Sequence, residues 1–143
     1  MRIADILRGK GTAVATVTRT TTVAALLADL AEHDIGSMVV IDADGVVGIV
    51  AERDVVRGLH QYGPDLLHRP VADVMSALVL TCGPDDRVHD LAILMTNNRV
   101  RHVPVLENGR LAGIVSIGDV VKSRMEEMMA ERQQLQAYIT QGG

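Results

Sequence analysis

The chain repeats itself. When the sequence is shifted by 65 positions against itself, residues 15–57 align with residues 80–122, and ten of the 43 aligned positions are identical. Six of these ten lie within nine consecutive positions, where 48–56 aligns with 113–121. Tandem repeats that cannot each bury an apolar face alone are expected to share one core.

Apolar periodicity predicts the same order of elements in both halves: strand, helix, strand, strand, helix. The first helix covers 23–31, capped by Thr21 or Thr22, and its second copy covers 88–95, preceded by Pro84-Asp85-Asp86 as a capping signal. Hairpins containing Asp-Gly or Asn-Gly turns follow at 38–50 and 103–115, and the closing helices begin near Glu52 and Ile117. Residues 58–70 are predicted to link the repeats.

Composition excludes several classes of function. The net charge is −4, and the chain has no Phe and no Trp, so neither a phosphate backbone nor stacked bases are expected partners. Cys82 is the only cysteine, and the five His show no metal-ligand spacing. No apolar run of signal-peptide or membrane-spanning type is apparent, so we expect no membrane partner and a cytoplasmic location.

The end of the second repeat carries a specific pattern: Gly, two hydrophobic residues, Ser or Thr, two variable residues and Asp. The first repeat has the same pattern at 48–54, except for Ala51 at the Ser or Thr position. The full pattern stands at 113–119, followed by Val-Val-Lys, and residues 100–105 (Val-Arg-His-Val-Pro-Val) also fit. Present twice in this element order, it resembles the cystathionine-β-synthase (CBS) domain, which in tandem forms a Bateman module and occurs widely as stand-alone bacterial pairs. The resemblance implies an α+β fold with a first repeat at 1–60, a linker at 61–70, a second repeat at 71–124 and a C-terminal helix at 125–143.

The resemblance also implies an adenosine-based ligand in the cleft between repeats. Asp119 and Asp54 would accept hydrogen bonds from ribose hydroxyls, with Ser116 supplementing Asp119. Phosphate would be met by side chains and by free N–H groups at a helix start, namely Arg101, His102, Gly118, Ile117 and Arg53. The adenine would lie against Val79, Leu80, Thr81, Val100, Val103 and Pro104. The family uses AMP, ADP, ATP, NAD(H) and S-adenosylmethionine, of which we expect AMP, ATP or NAD here.

The two copies of the motif are not equivalent. Ala51 stands where the second repeat has Ser116, and Gly36-Ser37 stands where it has Arg101-His102. We therefore predict tighter binding in the Asp119 cleft, with Arg53 compensating in part beside Asp54. The alternative is that both aspartates only cap helices.

The chain continues past the second repeat as a predicted helix with an apolar stripe. We expect this stripe to pack on a second copy, giving a homodimer, although packing on its own module is the alternative.

Functionally, we expect a regulatory module that senses an adenosine ligand, with any effector as a separate chain. A structural dimer with empty clefts is the alternative. Catalysis is not expected, because no nucleophile–base pair, metal cluster, Walker A loop or Rossmann glycine pattern appears.

Overall fold

The computed structural model describes residues 1–78 and 80–142. Both halves contain the predicted helix, hairpin and closing helix. The elements are α1 Ile3–Lys10, β1 Thr16–Thr18, α2 Val23–His33, β2 Ser37–Asp42, β3 Gly45–Ala51, α3 Glu52–Tyr62, β4 Ser76–Ala77, α4 Val88–Asn98, β5 His102–Glu107, β6 Arg110–Ser116 and α5 Ile117–Gly142.

The strands form one hairpin in each repeat. β1 pairs in parallel with β2, β2 pairs antiparallel with β3, and β4 adds to the far edge of β3. In the second repeat β5 pairs antiparallel with β6, and Cys82 forms a parallel bridge to Val105, the position matching the β1–β2 pairing. The second hairpin turns through Asn108 (φ 53°) and Gly109 (φ 78°), the left-handed conformations that an Asn-Gly turn supplies.

The two repeats exchange the segments that precede them. Ile3, Ile6 and Leu7 of α1 are buried in the core of the second repeat, whereas Val71 is buried in the core of the first. Ile3 donates its N–H to the Asp86 carbonyl (2.9 Å), and Val71 donates its N–H to the Thr21 carbonyl (2.7 Å). Each repeat therefore completes its core with a segment of the other.

The structure adds detail to one local prediction and corrects another. The segment 58–70, predicted to link the repeats, contains helical turns, because α3 continues to Tyr62 and a 3-10 helix covers Gly63–His68. Gly58 lies inside α3, where a Cβ would stand 2.7 Å from Val74 and 2.9 Å from Leu66. Asp86 does not cap α4; its carboxylate accepts the Gly83 N–H in the preceding turn.

The last helix projects beyond the core. Val120 and Ser123 are buried on the second repeat, but the apolar side chains after them are exposed. The alternative of a helix covered by its own module is therefore wrong for this part of α5. Among the described residues, no helix combines the length and apolarity that crossing a bilayer requires.

Candidate functional site

A cleft of about 460 Å³ lies between the two repeats. The start of β2, the end of β3 and the first turn of α3 form one wall, and Ser76, Ala77, Leu78 and Leu80 line the space between the walls. The opposite wall comes from the second repeat, at residues 98–102, where α4 ends and β5 begins. A molecule in this cleft would therefore contact both repeats.

Asp54 is the buried acid of this cleft, with only 7% of the residue exposed. One carboxylate oxygen accepts the Ala51 N–H (2.8 Å), which caps α3, and the other accepts the Ser76 hydroxyl (2.9 Å). The predicted capping role is real, but it uses only one of the two oxygens. The second oxygen is bonded to a neutral hydroxyl, which exchanges readily with hydroxyls of a ligand.

Three arginines line the same cleft: Arg53 from α3, and Arg99 and Arg101 from the second repeat. All three are exposed, and the ion pairs among the described residues involve other cations. Against Glu52 and Asp54, they leave this part of an acidic chain positively charged. Arg99 has a left-handed backbone (φ 54°) as the C-cap of α4.

Aliphatic side chains complete the cleft. Ile49, Leu78, Leu80 and Val100 line it and are each partly buried. Together with the acid and the guanidiniums, they form a slot with apolar sides, a hydrogen-bond acceptor and a cationic rim. Such a combination suits a flat, polar-edged molecule that carries negative charge.

The second motif acid, Asp119, has different neighbours. Its Oδ2 accepts the Ser116 N–H (2.9 Å) as a helix cap, and the Ser116 hydroxyl accepts the Asp119 N–H (3.1 Å). The same Oδ2 also accepts a hydrogen bond from Lys10 Nζ at 2.6 Å. The adjoining space is about 170 Å³, less than half the volume of the Asp54 cleft.

The ion pair changes the titration of two groups. Partial burial alone would raise the pKa of Asp119, but the hydrogen bonds from Lys10 and Ser116 and the Lys10 charge hold it below the ordinary value. Burial lowers the pKa of His102, and the charges of Lys10 and Arg101 lower it further, against an opposing effect of Asp119. Asp119 is therefore firmly ionised and His102 is neutral at neutral pH.

The structure groups the predicted phosphate contacts differently from the sequence analysis. Arg101 and His102 were placed with Asp119, but they line the Asp54 cleft together with Arg53. The Ile117 N–H is not free for an anion, because it donates to the Arg101 carbonyl (2.8 Å). Gly118 stays exposed at the start of α5, away from the residues that line the Asp54 cleft.

The predicted adenine contacts also divide. Leu80 and Val100 line the Asp54 cleft. Val103 does not, because it is fully buried in the core of the second repeat. Pro104 is buried beside it, with its carbonyl accepting the Cys82 N–H (3.1 Å). Thr81 is exposed outside the cleft lining, and Val79 lies outside the described residues.

Sequence reasoning missed four residues that shape the two clefts: Ser76, Arg99, Glu52 and Lys10. Arg99 was within reach of the alignment, since the equivalent position in the first repeat is Asp34, also a left-handed helix C-cap. Ser76 and Lys10 lie outside the aligned segments, so the duplication carried no signal for them.

A larger groove of about 560 Å³ lies between α4 and α5, against Arg2 and Glu127. It contains neither motif acid. We therefore place the candidate site in the smaller cleft, where the repeated motif and both repeats meet.

Comparison with known proteins identifies what this architecture resembles. The family model for the CBS domain matches residues 4–61 and 71–126. The mitochondrial CBS domain-containing protein CBSX3 of Arabidopsis thaliana is 34% identical over 150 residues, covering 99% of this chain and 72% of the relative. A CBS-domain containing protein from Agrobacterium tumefaciens has a similar solved structure, with a TM-score of 0.82 and 44% identity over 87% of this chain and 99% of that one.

A further solved structure contains a ligand. It is a CBS domain protein from Pyrobaculum aerophilum complexed with AMP, with a TM-score of 0.73 and 28% identity over 83% of this chain and 89% of that one.

Proposed function

The chain belongs to the CBS-domain family, as a tandem pair of repeats, and from this premise we propose that it is a regulatory module that binds an anionic adenine nucleotide in the Asp54 cleft. The observation that carries the proposal is a single cleft lined by one buried carboxylate and by three arginines from both repeats. The AMP complex of the Pyrobaculum relative supports the class of ligand. The role is regulatory rather than catalytic.

Asp54 is the proposed ribose contact. A carboxylate accepts hydrogen bonds from the two neighbouring hydroxyls of a ribose, and such charge-assisted bonds are about twice as strong as neutral ones. The Oδ1 bond to the Ser76 hydroxyl (2.9 Å) is the contact that the ribose would share or replace. The capping bond from Ala51 to Oδ2 keeps the carboxylate in position meanwhile.

Arg53, Arg99 and Arg101 are the proposed phosphate contacts, with neutral His102 as a hydrogen-bond donor beside them. Three guanidiniums favour AMP, ADP, ATP or NAD(H), which carry phosphate. They disfavour S-adenosylmethionine, because its sulfonium is a cation. The aliphatic side chains of Ile49, Leu80 and Val100 would cover the faces of the adenine.

Binding across two repeats supplies a means of regulation. A nucleotide that contacts Arg53 on one repeat and Arg101 on the other stabilises arrangements in which the two are close. By mass action it shifts the population toward those arrangements, and a partner that prefers them then binds more tightly.

The test is thermal melting with AMP, ATP and S-adenosylmethionine. At 100 times its dissociation constant a ligand stabilises the folded chain by about 2.7 kcal/mol, which raises the Tm by several degrees. We expect a shift with AMP or ATP that Asp54→Ala abolishes and that the matched variant Asp119→Ala retains. A shift that is lost only in Asp119→Ala would instead support the second cleft, and no shift with any nucleotide would reject the proposal.

We also propose that the module is a homodimer joined through α5. The exposed apolar side chains of this helix include Val121, Met125, Met128, Leu135 and Ile139, which are spaced by four, three, seven and four residues, with Arg132 inside the seven-residue step. Met129 and Tyr138 are exposed beside them. A stripe with this heptad spacing is the seam that a second identical helix covers.

Leu135→Glu places a charge in the stripe and should convert a dimer to a monomer in light scattering coupled to gel filtration. Gln133→Glu adds the same charge away from the stripe and should leave the dimer intact. If the wild type is a monomer, the proposal of a homodimer is wrong. If Leu135→Glu remains a dimer, the interface does not lie on the apolar stripe of α5. If the dimer stands but no nucleotide binds, the structural-dimer alternative is the better account.

A further inference from the structure

The second cleft contains a cation supplied by the chain itself. Lys10, the last residue of α1, donates from Nζ to Asp119 Oδ2 at 2.6 Å and to the Ile114 carbonyl at 3.0 Å. In the first cleft the neighbour of the motif acid is the Ser76 hydroxyl. The two equivalent carboxylates thus differ in their hydrogen-bond donor, which is a charged ammonium at Asp119 and a neutral hydroxyl at Asp54.

This difference changes what a ribose meets at the acid. Asp119 Oδ2 already accepts two hydrogen bonds, from the Ser116 N–H and from Lys10, so a ribose diol that uses both carboxylate oxygens has to displace the ammonium. Replacing a neutral hydroxyl by a ligand hydroxyl exchanges one hydrogen bond for another of similar strength. Displacing an ammonium breaks a charge-assisted bond and leaves the Lys10 charge to find another partner. Lys10 and Asp119 are also partly shielded from solvent, with side-chain exposures of 34% and 21%.

Lys10 also fills space beside the acid. Its side chain lines, together with Asp119, a space of about 170 Å³ between α1 and α5. Removing it both frees the carboxylate and enlarges the opening.

We propose that Lys10 is a specificity-determining residue that closes the Asp119 cleft to nucleotides, so that each chain binds a single nucleotide in the Asp54 cleft. The inference rests on the proposed function for the choice of ligand, but it makes a separate claim about the second cleft.

Calorimetric titration with AMP, repeated with ATP, tests the claim through stoichiometry. We expect one nucleotide per chain for the wild type and two for Lys10→Ala, and the double variant Lys10→Ala/Asp119→Ala should return to one. Lys10→Arg keeps the cation and should stay at one. Lys122→Ala removes a different lysine from the same space and should also stay at one. Thermal melts show whether each variant is folded.

The outcomes separate this inference from the proposed function. One nucleotide in both the wild type and Lys10→Ala, or two in the wild type, overturns the role of Lys10 alone. No binding by the wild type with one nucleotide bound by Lys10→Ala supports the role of Lys10 and rejects the Asp54 site. No binding by either chain rejects both.

Discussion

The two clefts began as copies and now differ in what surrounds an identical acid. Asp54 and Asp119 each accept the N–H three residues earlier, so the motif caps the following helix in both repeats. The remaining contact is a serine hydroxyl in one cleft and a lysine ammonium in the other. The motif therefore positions a carboxylate, and its neighbour sets whether a ligand hydroxyl has to replace a neutral group or a cation there.

Both of these neighbours come from the exchanged segments. Lys10 ends α1, which packs on the second repeat, and Ser76 follows the segment around Val71, which packs on the first. The segments that hold the repeats together thus also set the chemistry of the clefts.

The largest expected difference between the repeats concerns two equivalent strand glycines. A Cβ at Gly48 would stand 2.5 Å from the Ser76 carbonyl oxygen, which is backbone, whereas one at Gly113 would stand 2.6 Å from the flexible end of Leu7. We expect Gly48→Ala to lower the free energy of unfolding by about 3 kcal/mol and Gly113→Ala by about 1 kcal/mol. Urea denaturation measures both. Equal losses of unfolding free energy in the two variants would show that the backbone of β4 shifts to admit a methyl group as easily as the Leu7 side chain does.

Helix capping gives the next contrast. Thr22 caps α2 by accepting the Ala25 N–H (3.2 Å), whereas the equivalent Arg87 gives α4 no side-chain cap. Thr22→Ala should cost about 1 kcal/mol of unfolding free energy, and Arg87→Thr should add about 0.5 kcal/mol. Arg87→Ala is the control, with little change expected in the denaturation midpoint. A loss in Arg87→Thr would mean that the Arg87 side chain stabilises α4 in another way.

The fold was predictable where neighbours in sequence determine it. The helix starts at Glu52 and Ile117 and both hairpins follow from the caps and the Asn-Gly or Asp-Gly turns, and the structure confirms them. The exchange of segments was not predictable, because it depends on which repeat buries α1, and periodicity shows only that Ile3 and Leu7 are apolar.

The site was predictable to the level of its two acids. The motif identified Asp54 and Asp119. The alignment of the two repeats, however, relates positions within each repeat and gives no information about contacts between them. The position of Arg101 beside Asp54 is a property of packing between repeats. Val103 was misassigned because three successive residues of β5 are buried, so the alternation of a half-buried strand does not apply.

The ion pair between Lys10 and Asp119 predicts that the contribution of Asp119 to the free energy of unfolding depends on pH. A hydrogen bond from a neutral hydroxyl has no such charge interaction to lose. The pKa of Asp119 is lower in the folded chain, so its contribution to stability is present above the unfolded value of about 3.9 and is lost as the pH falls through the folded value. Asp119→Asn keeps an acceptor for the cap and removes the charge. We expect it to cost about 1 kcal/mol at pH 7, as partly exposed ion pairs do. The cost should shrink in urea denaturation below about pH 4, and an unchanged cost would show that the charge is not what matters.

The smallest effect is the titration of His102, which senses both members of the pair. In the wild type the pKa of His102 lies below its ordinary value through burial and the charge of Lys10, opposed by Asp119. Lys10→Met preserves the bulk of the side chain, removes one lowering charge and should raise this pKa. Asp119→Asn removes the raising charge and should lower it. Proton NMR of the imidazole resonances measures both shifts, with the exposed His33 as the internal control. Opposite shifts of this pKa would show that His102, which lines the first cleft, senses the charges of the second cleft. The same pKa of His102 in the wild type and in both variants would show that the two clefts are electrostatically independent.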